Sequence, residues 1–218
     1  MIETAIYRQR FSEDELTAQR GFWKPICDYL QDWIPVDGAT LHLGAGYCHF
    51  INTIESARKI AVDLNEENLH RYADPTVECV VTEGNNLSAI EASSIDTAFA
   101  SNVYEHFQTK DDVAESFREI WRALKPGGRF LILQPNFAFC AREYFDFFDH
   151  RLAFTHKAMA EGVGIAGFEV ERVIPQFLPY TSKSALPKAP WMVWLYLRCP
   201  PAWKLLGGQM LLVCRRPG

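Results

Sequence analysis

The stretch LHLGAGYCHF, residues 41–50, decides the fold. An apolar segment over 40–43 runs directly into a turn that holds Gly44 and Gly46, and helical character follows. Glycines at such a turn let the backbone approach a ligand, and the amino terminus of the following helix favours polar ligand groups. A tight turn without a ligand has the same pattern, so the surrounding sequence must decide between the two interpretations.

Short apolar segments alternate with helical segments on both sides of this stretch. The predicted strands are 40–43, 60–62, 77–81, 95–100, 129–133, 168–174 and 209–214, and the predicted helices are 12–33 with a break at Pro25, 47–57, 66–72, 86–91 and 110–124. This alternation predicts a parallel sheet with helices on both faces. Segment 175–207, rich in proline and tryptophan, is predicted to be an insertion between two paired strands.

Composition excludes several classes of protein. The 218 residues carry 22 basic and 27 acidic side chains, a net charge of −5, which argues against a nucleic-acid partner. The longest apolar run, WMVWLYL over 191–197, is far too short for a transmembrane helix. No two of the six cysteines form a CxxC pair, so we expect no metal site. The absence of a signal-peptide pattern and of cysteine pairing predicts a cytoplasmic protein.

Asp63 favours a ligand at the glycine turn. It ends the second predicted strand, where an acidic residue can bind both hydroxyls of a ribose, although it could also cap the helix that follows in DLNEENL. A nicotinamide-dependent oxidoreductase would have a third glycine at position 49, which is His49 here. The pattern therefore disfavours that class, which stays an alternative.

Four motifs in this order resemble those of class I S-adenosylmethionine-dependent methyltransferases of the type 11-like group. They are LHLGAG (41–46), AVDLN (61–65), DTAFASNVYEHF (96–107) and LKPGGRFLI (124–132). FLPYTSKSALP (177–187) and the GGQMLLV ending are also similar, more weakly, to methyltransferases associated with polysaccharide synthesis.

The resemblance implies an α/β fold: a Rossmann-like, doubly wound, mostly parallel seven-stranded sheet with an antiparallel last strand. It also implies a single methyltransferase domain over 1–218. Within it, residues 1–35 would form N-terminal helices and 36–135 the cofactor-binding core. Residues 136–218 would form the substrate side, with the closing strand pair and the insertion.

The same resemblance implies a binding site for S-adenosyl-L-methionine. Its residues would be Gly44 and Gly46 at the methionine part, Asp63 at the ribose, Leu64, Glu83, Gly84 and Asn85 around the adenine, and Ser101 and Asn102 near the sulfonium and the substrate. Two positions depart from the family pattern. His42 stands where an acidic residue is common and removes an acceptor for the cofactor's ammonium group, and Cys48 stands where a third glycine is frequent.

The expected reaction is methyl transfer to a small hydroxylated or sugar-derived acceptor. His106 is the candidate catalytic base, with a structural hydrogen-bonding role as the alternative; His150 and His156 are weaker candidates. A non-catalytic binding or partner protein is the alternative function. Segment 189–206 combines tryptophans with basic residues, which is typical of a lid, of a homodimer contact or of peripheral membrane contact.

Overall fold

The structure, a computed structural model, describes residues 13–180 and 189–218, with side chains described from residue 20 onward. The strands are β1 Ala39–Leu43, β2 Arg58–Asp63, β3 Val77–Val81, β4 Ile95–Ser101, β5 Leu124–Pro135, β6 Glu169–Ile174 and β7 Gln209–Arg215. The α-helices are α1 Glu13–Leu30, α2 His49–Thr53, α3 Glu66–Tyr72, α4 Lys110–Ala123, α5 Phe137–Cys140, α6 His156–Ile165, α7 Pro190–Leu197 and α8 Pro200–Leu206.

The strands form one seven-stranded sheet in the order β3-β2-β1-β4-β5-β7-β6. Strands β3, β2, β1, β4 and β5 are parallel, and β7 runs antiparallel between β5 and β6. The predicted α/β fold with an antiparallel last strand is confirmed. The chain passes from β1 outward to β3 on one side of the sheet and then returns to β4 and β5 on the other side. A crevice is therefore expected where β1 and β4 lie side by side.

Alternating side chains divide the core between the two faces of the sheet. Leu41 and Leu43 of β1 pack on the face that α4 and α6 cover. On the other face, Phe99 and Leu131 pack against α1, α2 and α7. Helix α4 starts at a capping box, in which the Thr109 hydroxyl accepts the Asp112 amide while the Asp112 carboxylate accepts the Thr109 amide. The helices on both faces therefore pack against the same sheet.

The predicted break at Pro25 is wrong, because α1 continues through it. Proline removes one backbone donor, yet Ile26, Cys27 and Leu30 immediately after it are fully buried on the sheet. Their packing holds the last turns of the helix in place. The predicted capping residue Ser12 lies outside the described residues.

The predicted helix over 86–91 is also wrong, since this segment is a turn. Side chains of α4 take its backbone groups. Glu119 accepts the amide of Leu87, and the Arg122 guanidinium donates to the carbonyls of Leu87 and Ile90. The helix predicted over 47–57 is shorter, with only α2 formed, and it starts after Cys48, which has a left-handed φ of 57°.

Candidate active site

The carboxyl ends of the parallel strands bring the predicted cofactor residues to one edge of the sheet. Three hydrogen bonds donated by backbone amides connect the loops there. The Ala45 amide donates to Val62 O at 3.0 Å, and the Thr82 amide donates to Asp63 O at 3.2 Å. The Gly46 amide donates to Asp63 Oδ2 at 2.8 Å. The ends of β1, β2 and β3 are thus fixed relative to one another.

The turn after β1 needs glycine for two different reasons. Gly44 has a φ of +66°, and a Cβ there would lie 2.6 Å from Val103 Cγ2, so a side chain would collide with the loop after β4. Gly46 has a φ of +52°, and a Cβ there would meet nothing within 4 Å. One glycine therefore lets two loops approach closely, and the other borders open space at the edge of the sheet.

The Asp63 carboxylate accepts two backbone amides, one from the turn after β1 and one from the loop after β2. Its Oδ1 accepts the Asn65 amide at 2.8 Å, in addition to the Gly46 amide bound by Oδ2. The cap of α3 is instead Asn65, whose side chain accepts the Asn68 amide. Leu64, next to the carboxylate, is 54% exposed, a high value for an apolar residue.

The loop after β3 presents an acidic side chain beside a tightly packed glycine. Glu83 is exposed, and its carbonyl accepts the Asn86 amide at 3.0 Å. A Cβ at Gly84 would lie 2.9 Å from Phe107 Cζ. The Asn85 amide group donates to Asp112 Oδ1 at 3.2 Å, which ties this loop to the start of α4.

The loop after β4 lies between the cofactor residues and a second polar group. Asn102 has a left-handed φ of 49°, its amide donates to Leu133 O and its side chain donates to Ser101 Oγ at 3.0 Å. Val103 then packs on Gly44, and Phe107 packs on Gly84. Residues 102–107 therefore contact two of the cofactor loops.

The second polar group, the Glu–His cluster, consists of Glu105, His106, Asp149 and His150. Glu105 Oε1 lies 3.9 Å from His106 Nε2 and 4.0 Å from His150 Nε2. His106 Nδ1 lies 3.1 Å from the Asp149 carbonyl oxygen and 3.4 Å from Asp149 Oδ2. The imidazoles of His106 and His150 meet edge to face, with ring centroids 5.2 Å apart.

Glu105 is the most deeply buried member of this cluster, at 1% exposure. Burial raises the pKa of its carboxyl group, against the lowering effects of His106 and of the Gln134 hydrogen bond. Gln134 Nε2 donates to Glu105 Oε2, and the Glu105 carbonyl accepts the amides of Arg151 and Leu152. The Gln134 hydrogen bond reduces the cost of burying the carboxylate, and the two amides hold the backbone of Glu105 in place.

His156, the third histidine candidate, lies outside the Glu–His cluster. Its Nδ1 lies 3.0 Å from Asn136 Nδ2, and its ring stacks on Phe139. Sequence reasoning missed Gln134, whose place near the carboxyl end of β5 was the one available signal. It also missed Val103 and Phe107, because apolar residues that contact glycines leave no polar pattern.

His42 does not border the loops as an exposed polar residue. It is 4% exposed, and its ring packs between Phe50 and Phe99, with centroids 5.0 and 5.2 Å away. Burial, with a smaller contribution from His49, lowers its pKa to about 3. Burial and the charge of Arg20 lower the pKa of His49 to about 4.

Both imidazoles are therefore neutral near pH 7. Within the part of the chain that the structure describes, the two nitrogens of His42 and Nε2 of His49 have no protein hydrogen-bond partner. Unlike a protonated imidazolium, a neutral imidazole can accept a hydrogen bond at one nitrogen.

Comparison with known proteins connects this geometry to a family. The family described as "Methyltransferase domain" matches residues 41–132, which include all four motifs. No curated protein matches the sequence.

Solved structures match the fold over nearly the whole chain. A methyltransferase of Thermotoga maritima, described as a possible histamine N-methyltransferase, is 17% identical with a TM-score of 0.66, covering 92% of this chain and 91% of that one. A geranyl diphosphate methyltransferase in complex with S-adenosylmethionine is 14% identical with a TM-score of 0.65, covering 88% and 85%. A 4+2 cyclase is 14% identical with a TM-score of 0.62, covering 89% and 81%. These likenesses concern the fold.

Proposed function

We propose that the chain, an S-adenosylmethionine-dependent methyltransferase whose residues 41–132 match the methyltransferase-domain family, methylates a hydroxyl group of a small polar or sugar-derived acceptor bound at the Glu–His cluster. The observation that carries the proposal is the juxtaposition of two sites. The loop over 102–107 contacts the cofactor turn through Val103 and carries His106 into the cluster.

The chain's own residues fit the cofactor at the edge of the sheet. Gly46 borders open space, and the Asp63 carboxylate is held in place by two backbone amides, so that it would bind the ribose hydroxyls. Leu64 would cover the adenine, with Glu83, Gly84 and Asn85 beside it. Ser101 and Asn102 would border the sulfonium.

The bound cofactor supplies a methyl group already activated on a sulfonium, so the protein's task is to position the acceptor and exclude water. His106 would contact the reacting group of the acceptor, because it is part exposed and lies next to the cofactor loops. The buried side of the cluster would hold that contact rigidly through Glu105 and Gln134. A hydroxylated acceptor suits these donors and acceptors better than an apolar one.

Calorimetry with S-adenosylhomocysteine tests the cofactor part of the proposal. We expect saturable one-to-one binding, and we expect NADH at micromolar concentration not to displace the ligand, because His49 replaces the pyrophosphate glycine. Transfer of labelled methyl groups to a panel of sugars and other polyols then tests the acceptor class. Cofactor binding without transfer to any hydroxyl in the panel would support the alternative of a binding protein, and displacement by NADH would contradict the cofactor assignment.

A separate surface, on helices α7 and α8, is suited to contact with a larger partner. Helices α7 and α8 expose large apolar side chains, and Trp191, Trp194 and Leu195 share one face of α7 by their spacing. Leu205 and Leu206, at the end of α8, are also exposed, Leu205 at 84%. We define these five residues as the α7–α8 face.

The positive charge of the chain after Glu171 favours contact between the α7–α8 face and an anionic lipid surface. No acidic residue follows Glu171, while the rest of the chain holds Arg172, Lys183, Lys188, Arg198, Lys204, Arg215 and Arg216. Arg198 and Lys204 are exposed, and the Arg198 guanidinium lies 3.7 Å over the Trp194 ring. A symmetric homodimer through this face would bring like charges together, whereas anionic headgroups would neutralise them. Within the described part of the chain no helix could span a membrane, so this contact would be peripheral.

Co-sedimentation of the full chain with vesicles tests this interaction. We expect binding to vesicles containing phosphatidylglycerol, weaker binding to pure phosphatidylcholine, and release by salt. The double variant Trp191→Ser/Trp194→Ser should lose binding, while Ile165→Ser, an exposed apolar residue on α6, should keep it. A wild type that dimerises and ignores both vesicle types would overturn the membrane proposal in favour of the homodimer.

A further inference from the structure

The Glu–His cluster has the composition of a metal centre as well as of a hydrogen-bonded network. Glu105, His106 and His150 each offer one ligand atom, and these three atoms lie within 4.8 Å of one another. The side chains of Glu105, His150 and His106 are 1%, 5% and 23% exposed. One carboxylate oxygen therefore faces two imidazole nitrogens in a place with little competing water.

The Glu105 carboxylate is too far from the two imidazoles to form direct hydrogen bonds with them. A hydrogen bond between an imidazole nitrogen and a carboxylate oxygen is about 2.7–3.2 Å long. The 3.9 and 4.0 Å separations of Glu105 Oε1 from the two Nε2 atoms exceed that range. In contrast, ligands 2.0–2.2 Å from a shared ion lie about 3.3 Å apart in tetrahedral geometry, so small side-chain rotations would close the cluster around an ion.

We propose that Glu105, His106 and His150 bind a divalent first-row transition metal ion through two imidazole nitrogens and one carboxylate oxygen. Two imidazoles and a carboxylate suit Zn²⁺, Fe²⁺, Mn²⁺ or Co²⁺, whereas Mg²⁺ and Ca²⁺ prefer oxygen ligands. Three protein ligands would also leave coordination positions for the acceptor. The role of this ion in methyl transfer rests on the proposed function, whereas the binding of the metal does not.

Neighbouring groups hold the ligands as metal sites require. The Asp149 carbonyl lies 3.1 Å from His106 Nδ1, and an N–H donated there leaves Nε2 with the lone pair that faces Glu105. Gln134 holds the other oxygen of Glu105. Tyr144 and Phe147 pack on the His150 ring, with centroids 4.8 and 5.0 Å away, and fix its orientation.

The ion would give the acceptor site its reactivity. A metal of this class binds a hydroxyl oxygen and lowers the pKa of that hydroxyl. The O–H bond breaks with release of the proton to solvent, the oxygen forms a bond to the methyl carbon, and the carbon–sulfur bond breaks to leave a neutral thioether. His106 is then a ligand that positions the acceptor through the ion.

Cobalt titration of the chelator-treated full chain tests the site without any activity assay. We expect one equivalent of Co²⁺ to bind with the visible absorption bands of a low-coordinate site, and Zn²⁺ to displace it. His150→Gln and His106→Gln each remove one ligand and should each weaken this binding by about 100-fold or more. His156→Gln is the matched control, because His156 is close in sequence but bonded to Asn136.

Three results would overturn the proposal. These are no saturable absorption in the wild type, equal affinity in His150→Gln and His156→Gln, or binding in His106→Gln that matches the wild type. If His150→Gln does not fold, His106→Gln decides, because the His106 side chain is part exposed. S-adenosylhomocysteine calorimetry on the same metal-free sample separates this outcome from the proposed function: retained cofactor binding with no cobalt binding contradicts the metal site alone.

Discussion

The loops after β1, β2 and β3 and the Glu–His cluster next to them are built differently. The loops fix their ligand-facing shape with backbone amides, glycines and one carboxylate, Asp63. The cluster assembles imidazoles, carboxylates and the Gln134 amide group from residues 105–106, 134 and 149–150, which are distant in sequence. Shape that depends on local backbone geometry can be recognised from a short motif, whereas a side-chain cluster from distant segments requires the fold. The predictions below separate these two regions.

The largest expected effect is in the Glu–His cluster. His106→Ala should lower the rate of methyl transfer to the acceptor found in the panel by about 100-fold or more, because it removes a contact that positions the reacting group. S-adenosylhomocysteine affinity should stay within about threefold of the wild type. His156→Ala should leave both quantities near their wild-type values. A His106 variant with nearly full activity would assign the histidine a structural role, the alternative considered from the sequence.

The division between the two regions also explains what the sequence could predict. The sheet, its antiparallel last strand and the loops that hold Gly44, Asp63 and Ser101 follow from short motifs and strand patterns. The Glu–His cluster did not follow, because no spacing in the sequence connects Glu105 to His150. The helix over 86–91 failed because Arg122, distant in sequence, takes the backbone carbonyls that a helix would use.

Asp63→Ala should weaken S-adenosylhomocysteine binding by about 10- to 100-fold, since charge-assisted hydrogen bonds contribute roughly 1.5–3 kcal/mol. The same carboxylate holds the Gly46 amide, so the variant also loosens the turn. Asp63→Asn keeps one acceptor oxygen and should lie between the two. Calorimetry measures all three proteins, and melting curves confirm that they fold. Unchanged affinity in a folded Asp63→Ala variant would remove this residue from the cofactor site.

Burial of His42, in strand β1 just before the glycine turn, predicts that the stability of the protein depends on pH. Its pKa is lowered to about 3 in the folded protein, against the ordinary 6.5. The unfolded chain therefore binds this proton first, and the stability present above pH 6.5 is lost as the pH falls toward 3. A single group of this kind contributes a slope of about 1.4 kcal/mol per pH unit over that interval.

Chemical denaturation of His42→Phe between pH 6 and 4 measures this contribution. The variant should be stabler than the wild type and should lose stability less steeply with acid, because the two partnerless ring nitrogens are gone. The remaining slope should come partly from His49, whose pKa is lowered to about 4. His70→Gln, an exposed histidine near Glu66, is the control and should leave the slope unchanged. Identical slopes in all three proteins would refute the burial argument.

The smallest expected effect tests whether the α7–α8 face is independent of the cofactor loops. Val193, Leu197 and Trp203 are the buried side chains of these helices, so serine at the exposed positions 191 and 194 leaves the packing on α1 in place. The double variant Trp191→Ser/Trp194→Ser should therefore bind S-adenosylhomocysteine within about threefold of the wild type, or roughly 0.65 kcal/mol. Calorimetry without vesicles gives the value, and Ile165→Ser on α6 sets the variation expected from any exposed apolar change. Loss of cofactor binding in a folded, monomeric double variant would show that this face contributes to the cofactor site, which would end the separation of the two regions.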